Sequence, residues 1–305
     1  MDPLEDVLTL LETRGRLSAS MAAGGQWAVR FEAPEAVKFN AVRRGACLLE
    51  VDGIDGPISL AEGDCYLLTR PRAFTLRSDP QAVPVDARPV FTTAENGVAR
   101  IGDGSDDVFL IGGAFSFGTR AQELLLDQLP PVVHIPAGTR HAQTVRWALT
   151  AIDQELTDRP MAAGLVSEHL AVVMLVHVLR LHLTREPHTA SGWLAGLRDP
   201  AIASALACLH RDPAHPWTVA ELASATAVSR STLAARFKAT VGQSPLEYLT
   251  RWRIELAARH LRDSGDTLTA IAHSVGYGSE SALSVAFKRV LGVSPGNYRK
   301  QTAIT

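Results

Sequence analysis

The chain has 305 residues, 46% of them hydrophobic and 20% charged, with a formal net charge of −2. That length accommodates two domains with separate cores, and the composition excludes a disordered or collagen-like chain. The first residues are acidic at Asp2, Glu5 and Asp6, without the basic stretch and apolar run of a secretory signal. The longest apolar run, Leu170 to Leu183, is broken by His177, Arg180 and His182 and is shorter than the roughly 20 residues of a membrane span. A cytoplasmic protein with no membrane partner is expected. Cys47, Cys65 and Cys208 lie far apart with no CxxC pair, which argues against a disulfide framework or a thiolate zinc site and leaves three buried small residues.

Charge is segregated along the chain. Residues 201–305 carry 12 Lys and Arg against 7 Asp and Glu, and residues 1–200 carry 18 against 25. The basic C-terminal part is thereby marked as the one suited to a polyanion.

Residues 25–135 read as short β-rich segments, such as Ala46 to Val51, Cys65 to Leu68 and Val108 to Gly112. Turn chemistry separates them at Asp52-Gly53, Gly56-Pro57, Gly63-Asp64, Asp79-Pro80 and Asn96-Gly97. Such regular spacing predicts a barrel or sandwich. After Pro136 the period becomes helical, over Arg146 to Leu156 and again over Met161 to Arg185, with Arg159-Pro160 as the break. The second of these is apolar over more than one stripe, which suits a subunit interface or packing on the barrel. Pro187, Gly192 and Gly196 mark Glu186 to Asp199 as a linker. Beyond Pro200 the sequence reads as helices joined by short turns.

A self-match at a spacing of 50 residues dominates the C-terminal part. Phe237-Lys238, Gly242, Ser244-Pro245 and Tyr248 return as Phe287-Lys288, Gly292, Ser294-Pro295 and Tyr298, and Leu233 returns as Leu283. Leu222-Ala223 aligns with Ile271-Ala272 at an offset of 49. Each copy has the layout of a helix-turn-helix. Gly276 suits a left-handed turn position, and Ala227 stands there in the first copy at some cost. The pairs Leu233 with Phe237 and Leu283 with Phe287 face the core. Ser231, Ala234, Ala235 and Lys238 then point outward, as do Ser281, Ser284, Val285 and Lys288. Leu246 to Arg262 is a connecting helix of roughly 25 Å, a length that can hold two recognition helices near the roughly 34 Å between successive major grooves.

The segment Gly276-Tyr277-Gly278-Ser279-Glu280-Ser281, then Phe287-Lys288-Arg289, Gly292-Val293-Ser294-Pro295 and Tyr298-Arg299, resembles the signature of the AraC/XylS DNA-binding domain. The resemblance runs from Trp217 to Lys300. Trp193-Leu194, Leu197-Arg198-Asp199-Pro200 and Arg251-Trp252-Arg253 resemble a subgroup with a cupin-like N-terminal barrel, as do Trp27, Gly45, Gly63-Asp64 and Leu129-Pro130 more weakly. The resemblance implies an α+β chain: a cupin-like sensor over 1–140, a helical linker and dimerisation region over 141–190, and an all-α double helix-turn-helix domain over 191–305. It implies a sequence-specific transcription regulator without catalytic activity or cofactor. Its partners would be duplex DNA, RNA polymerase, a small-molecule effector and a second copy of itself. DNA contacts are expected from Ser229, Arg230, Ser231, Thr232, Ala235, Arg236, Lys238 and Arg251, and from Ser279, Glu280, Ser281, Ser284, Lys288 and Arg289. Family members often present Arg, Gln or large side chains on these helices, whereas Ala234, Ala235 and Val285 stand here, so readout leans on the remaining polar residues, thymine methyls and DNA shape.

Cupin enzymes hold a metal through two His and a Glu on one strand pair plus a third His. Asn40 and Phe74 occupy would-be ligand positions here, no His-x-His occurs, and His141 of the Pro136–Gly138–His141 string lacks companions. A metal-free sensor is expected. Trp27, Phe31, Phe39, Asn40, Tyr66 and Phe74 are the candidate lining of an effector pocket, with plain core packing as the alternative. Three rival readings are a cupin oxygenase or isomerase, which would need the missing ligands, an alkylation-repair protein, which would need an activated Cys, and an architectural DNA binder.

Overall fold

Asp2 caps the first helix, α1 (Pro3–Leu10): its carboxylate accepts from the Leu4 amide at 2.9 Å, and Pro3 enters the first turn. Leu4, Val7, Leu8 and Leu11 are buried and form one stripe at helical spacing. In this computed structural model, which describes residues 2–118, 120–138, 142–185 and 192–302, the chain divides into two units. One is Thr13–Pro187 and the other combines Met1–Glu12 with His188–Thr305. His141 and residues 186–191 of the expected linker lie outside the described residues.

The first unit is built from β1 (Arg14–Leu17), β2 (Ser20–Gly24), β3 (Ala28–Phe31), β4 (Val37–Arg44), β5 (Ala46–Val51), β6 (Ile58–Ala61), β7 (Cys65–Leu68), β8 (Phe74–Arg77) and β9 (Val85–Asp86). Then come α2 (Ala87–Thr92), β10 (Val98–Gly102), β11 (Val108–Ser116), α3 (Ala121–Leu124), β12 (Val132–Ile135), α4 (Gln143–Asp158) and α5 (Ala163–Arg185). One sheet has the order β10-β2-β11-β4-β7-β12, with β1 also on β11, and the other β6-β5-β8-β3-β9. The two are sandwich-like rather than a closed barrel. Strand alternation sends Met21, Val42, Tyr66 and Leu110 from the first sheet, and Val29, Leu49, Phe74 and Leu76 from the second, into one core. Phe39 pairs across the first sheet with Gly113 and stacks on Phe115 at 5.0 Å. Gly15 on β1 lets α5 come close, since a Cβ there would lie 2.6 Å from Ala171 Cβ.

α4 and α5 pack on each other, and α5 packs on β1. The apolar run expected to fall short of a membrane span thus lies inside a 23-residue helix, which by length and composition alone could cross a bilayer. Ala171, Met174, Leu175, Val178 and Leu179 of this helix are buried within the protein. Met161, Leu165 and Val166, at or near its start, and Val173, at its middle, are exposed.

The second unit adds α6 (Trp193–Gly196), α7 (Pro200–Arg211), α8 (Val219–Ala225), α9 (Arg230–Val241), α10 (Pro245–Asp263), α11 (Leu268–Ser274), α12 (Glu280–Leu291) and α13 (Pro295–Thr302). Part of the expected linker is therefore helical: Trp193, Leu194 and Ala195 are buried and α6 packs on α7 and α9, because two large apolar side chains gain more by burial than the flanking glycines lose. α10 packs against helices of both repeats, α9 of the first and α11, α12 and α13 of the second. Its 19 residues span about 28 Å. The repeat is structural as well as sequential. Phe237 meets Tyr248 edge-on at 6.0 Å and Phe287 meets Tyr298 edge-on at 5.4 Å, an arrangement aromatic rings favour. Gly242 and Gly292 end α9 and α12 in left-handed conformations, at φ 84° and 77°.

α1 packs on α7 and α10. At that junction His210 is buried, with Nδ1 3.2 Å from Asp6 Oδ2 and Nε2 2.7 Å from the Tyr248 hydroxyl. Its ring stacks on Trp252 at 4.1 Å. The two bonds fit a neutral ring that donates from Nδ1 to the carboxylate and accepts from the phenol. Burial pushes His210 down to about 3 and pushes Asp6 up from its ordinary value.

Candidate nucleic-acid interface

Each helix-turn-helix is closed by the same backbone bonds. In the first, Val228 N donates to Ala223 O at 3.2 Å and Ala227 N to Ser224 O at 3.3 Å. In the second, Tyr277 N donates to Ala272 O at 2.8 Å and Gly276 N to His273 O at 3.1 Å. These are Schellman-type turns, which need a left-handed residue just past the helix. Ala227 meets the need at φ 54° and Gly276 at φ 85°. The Ala227 geometry is the strained version that its sequence position predicts.

The second turn carries an extra lock. Arg253, from α10, donates to Pro213 O at 2.6 Å, His215 O at 2.8 Å and Gly276 O at 3.2 Å, and lies 5.8 Å from the centre of the Tyr277 ring. Sequence reasoning gave Arg253 no role, since a half-buried Arg in an amphipathic helix looks the same whether or not it collects carbonyls.

Ser229 and Ser279 cap the starts of α9 and α12, their hydroxyls accepting from Thr232 N at 3.2 Å and Ala282 N at 3.1 Å. Leu233, Phe237, Leu283 and Phe287 are fully buried, which turns the opposite face of each helix outward. On α9 this exposes Arg230, Ser231, Thr232, Ala235, Arg236 and Lys238, with Ala234 half-buried. On α12 it exposes Glu280, Ser281, Val285, Lys288 and Arg289, with Ser284 half-buried. Arg251 is exposed on α10.

Two of these side chains are already engaged. Arg236 pairs with Asp199, Nη2 to Oδ2 at 2.5 Å, and Asp199 in turn caps α7 through the Ala201 and Ile202 amides. Glu280 accepts from the Thr269 hydroxyl on α11 at 3.2 Å. Among the described residues Arg230, Lys238, Arg251, Lys288 and Arg289 form no ion pair. Exposed cations outside ion pairs, on or beside α9 and α12, suit contact with a phosphate backbone.

Of the six residues considered for an effector pocket, Trp27, Phe31, Asn40, Tyr66 and Phe74 come together inside the sandwich, and Phe39 lies apart from them. Trp27, Tyr66 and Phe74 belong to the closed sandwich core, with Phe31 stacked on Phe74 at 4.6 Å. Phe39 packs on Phe115 instead. Asn40 is buried and its Nδ2 donates to the Tyr66 hydroxyl at 2.5 Å. Alternation sets Phe39 apart: Phe39 and Asn40, being consecutive on β4, take opposite faces. No cluster of three or more His, Cys, Asp or Glu side chains suited to a metal occurs among the described residues; His134 pairs with Asp64 at 3.0 Å. Cys47 and Cys65 are buried, and burial pushes both thiols up to about 12, the opposite of the activation that methyl transfer to Cys would need.

Residues 2–184 match the family described as Cupin, and residues 222–301 match the Helix-turn-helix domain family. An AraC-like transcription regulator of Streptomyces lividans is 78% identical over 300 residues, covering 98% of each chain. The HTH-type transcriptional regulator AlkR of Acinetobacter baylyi is 30% identical over 285 residues, 91% of this chain and 92% of its own. Among solved structures, the DNA-binding domain of AdpA in complex with a target DNA is 32% identical, covering 35% of this chain and 95% of that one at a TM-score of 0.33. With cupin-type sheets followed by two helix-turn-helix units, and with relatives matched over nearly their whole length, this chain belongs to the AraC family of DNA-binding transcription regulators.

Proposed function

We propose that one C-terminal unit reads two successive major grooves on the same face of duplex DNA, with α9 and α12 as the inserted helices. The observation that carries this is the pair of helix-turn-helix units closed by equivalent bonds and joined by one continuous helix of 19 residues. Arg230, Ser231, Thr232 and Ala235 meet bases on one half of the site, and Glu280, Ser281 and Ser284 on the other. Lys238, Arg251, Lys288 and Arg289 meet phosphates. Arg236 acts from its pair with Asp199, orienting α9. Ser229 and Ser279 set the helix starts, from which their hydroxyls can reach a phosphate.

The protein works in the cytoplasm as a regulator and not an enzyme, pairing with a second copy through the exposed apolar start of α5. A small molecule taken up by the sheet-bearing unit modulates it, and RNA polymerase is its further partner at the promoter. Hydroxyl-radical footprinting on genomically selected DNA tests the groove reading. Two protected patches about 10 base pairs apart are expected for each unit. A single patch, or unchanged affinity on deleting everything from Thr267 onward, would sink it.

A further inference from the structure

A cleft of about 900 Å³ opens within the first unit, between the β1–β2 and β10 edge of the sheet and the α4–α5 hairpin. Its size suits a small organic ligand. Leu17, Phe109 and Leu156 give it apolar walls. Two polar side chains on those walls have buried atoms that meet no partner: Ser167 Oγ and Glu155 Oε2. Ser167 is 2% exposed, and it sits inside α5, where a serine ordinarily returns its hydroxyl to the carbonyl one turn earlier. An orphaned buried hydroxyl and carboxylate oxygen are both unfavourable as they stand.

Charge decides what would relieve them, and of the charged residues on the wall Arg16 and Glu168 are exposed at its surface. Arg159, also on the wall, has its guanidinium turned to Asn96 O at 2.6 Å. Asp153 is paired with Arg43 at 3.1 Å. Glu155 forms no ion pair among the described residues. A carboxylate accepts only, so its natural complement is a donor, and a cationic donor bonds it more strongly than a neutral one. We infer that this cleft is a binding site for a small amphipathic molecule bearing a protonated amine, with the amine on Glu155, a hydrogen bond to Ser167 and the apolar body against Leu17, Phe109 and Leu156. The inference gives the proposed effector modulation a place and a ligand class, and it rests on that reading only for the effect on DNA.

Isothermal titration of the full-length protein tests it, with butylamine, hexylamine, 2-phenylethylamine and tryptamine as probes, and with 2-phenylethanol and phenylacetate as the neutral and anionic controls. At least one amine should bind in the micromolar to low-millimolar range and at least tenfold more tightly than either control. Glu155→Gln should weaken that amine at least tenfold while leaving 2-phenylethanol unchanged, and Ser167→Ala should weaken both, with the thermal unfolding midpoint of each variant confirming the fold. Absence of heat with every amine at 10 mM, stronger binding of phenylacetate, or full affinity in Glu155→Gln would overturn the site. DNA affinity measured by anisotropy with and without the bound amine separates the two claims: binding without a change in DNA affinity upholds the site and rejects the modulation.

Discussion

Gly276→Ala should destabilise the second helix-turn-helix by about 3 kcal/mol, whereas Gly292→Ala should cost only about 1 kcal/mol. Both glycines have positive φ, 85° and 77°, so both variants meet the penalty of roughly 1–2 kcal/mol for a Cβ in the left-handed region. That penalty is partly offset by the stiffer unfolded chain, roughly 0.4–1 kcal/mol. Around Gly292 an added Cβ has nothing within 4 Å. At Gly276 it would lie 2.6 Å from Ala214 O and 2.7 Å from Ala214 Cα, so main chain has to move. The 213–215 segment is the one Arg253 holds, and a bond from a charged donor contributes roughly 1.5–3 kcal/mol. Ala227→Gly isolates the conformational part, since Ala227 already carries a Cβ at φ 54°, and should change stability by less than about 1 kcal/mol. Hydrogen exchange resolved over α11 and α12 reads these local free energies without requiring the two units to unfold together. Equal losses for Gly276→Ala and Gly292→Ala would refute the packed-turn argument.

His210 is held down to about 3 against an ordinary 6.5, so the unfolded chain takes up its proton first as pH falls. Stability of the second unit should be fully present above pH 6.5 and decline by about 1.4 kcal/mol per pH unit below it, with the raised Asp6 offsetting part of the loss at the acid end; denaturation of His210→Gln from pH 7.5 to 5 should show a flatter profile. Leu4→Ala, which removes a buried α1 side chain 5% exposed, should lower the stability of α7 and α10 in hydrogen exchange by about 2–3 kcal/mol, and an effect confined to the sheets would contradict the grouping of α1 with the C-terminal helices. Lys238→Ala should weaken binding evenly across DNA sequences and reduce the salt slope by about one, as anisotropy at several salt concentrations would read. Leu165→Asp, at a position 59% exposed, should shift the protein from dimer to monomer in light scattering with its melting temperature unchanged; an unaltered mass would remove α5 from the interface.

The C-terminal unit was the more legible half because its information is local. A Gly ending a helix, a Ser-Pro starting the next and a Leu–Phe pair one turn apart each dictate a conformation within a few residues, and their recurrence 50 positions later makes chance an untenable explanation. The sheets were legible as a class, through turn residues and strand-length runs, but not as a site. Which face an aromatic takes depends on strand register, and one step along β4 separates Phe39 from Asn40. The α4–α5 cleft leaves no pattern at all, since Glu155 and Ser167 are distinguished only by the partners they lack. α1 was missed as a structural element for another reason: its stripe of Leu4, Val7, Leu8 and Leu11 announces an amphipathic helix, yet nothing in a sequence says which distant surface the stripe will meet.

The repeat also separates what the two reading heads share from what they do not. The shared residues are those with folding duties: Leu233 and Leu283, Phe237 and Phe287, Gly242 and Gly292, all buried or in left-handed turns. On the outward faces Lys238 and Lys288 match, as do the serines at 229 and 279 and at 231 and 281, while Glu280 takes the place of Arg230 and Ala286 that of Arg236 at the same offset. Arg236 is tied to Asp199 on the α6–α7 side, whereas its counterpart Ala286 is buried. Two heads with one core and different faces will prefer different half-sites, since base discrimination resides in side chains at the groove floor and not in the helix that carries them. Under the proposed groove reading the target should be two dissimilar half-sites read in a fixed order, and a palindromic repeat of either half under one C-terminal unit should bind less tightly than the natural pair.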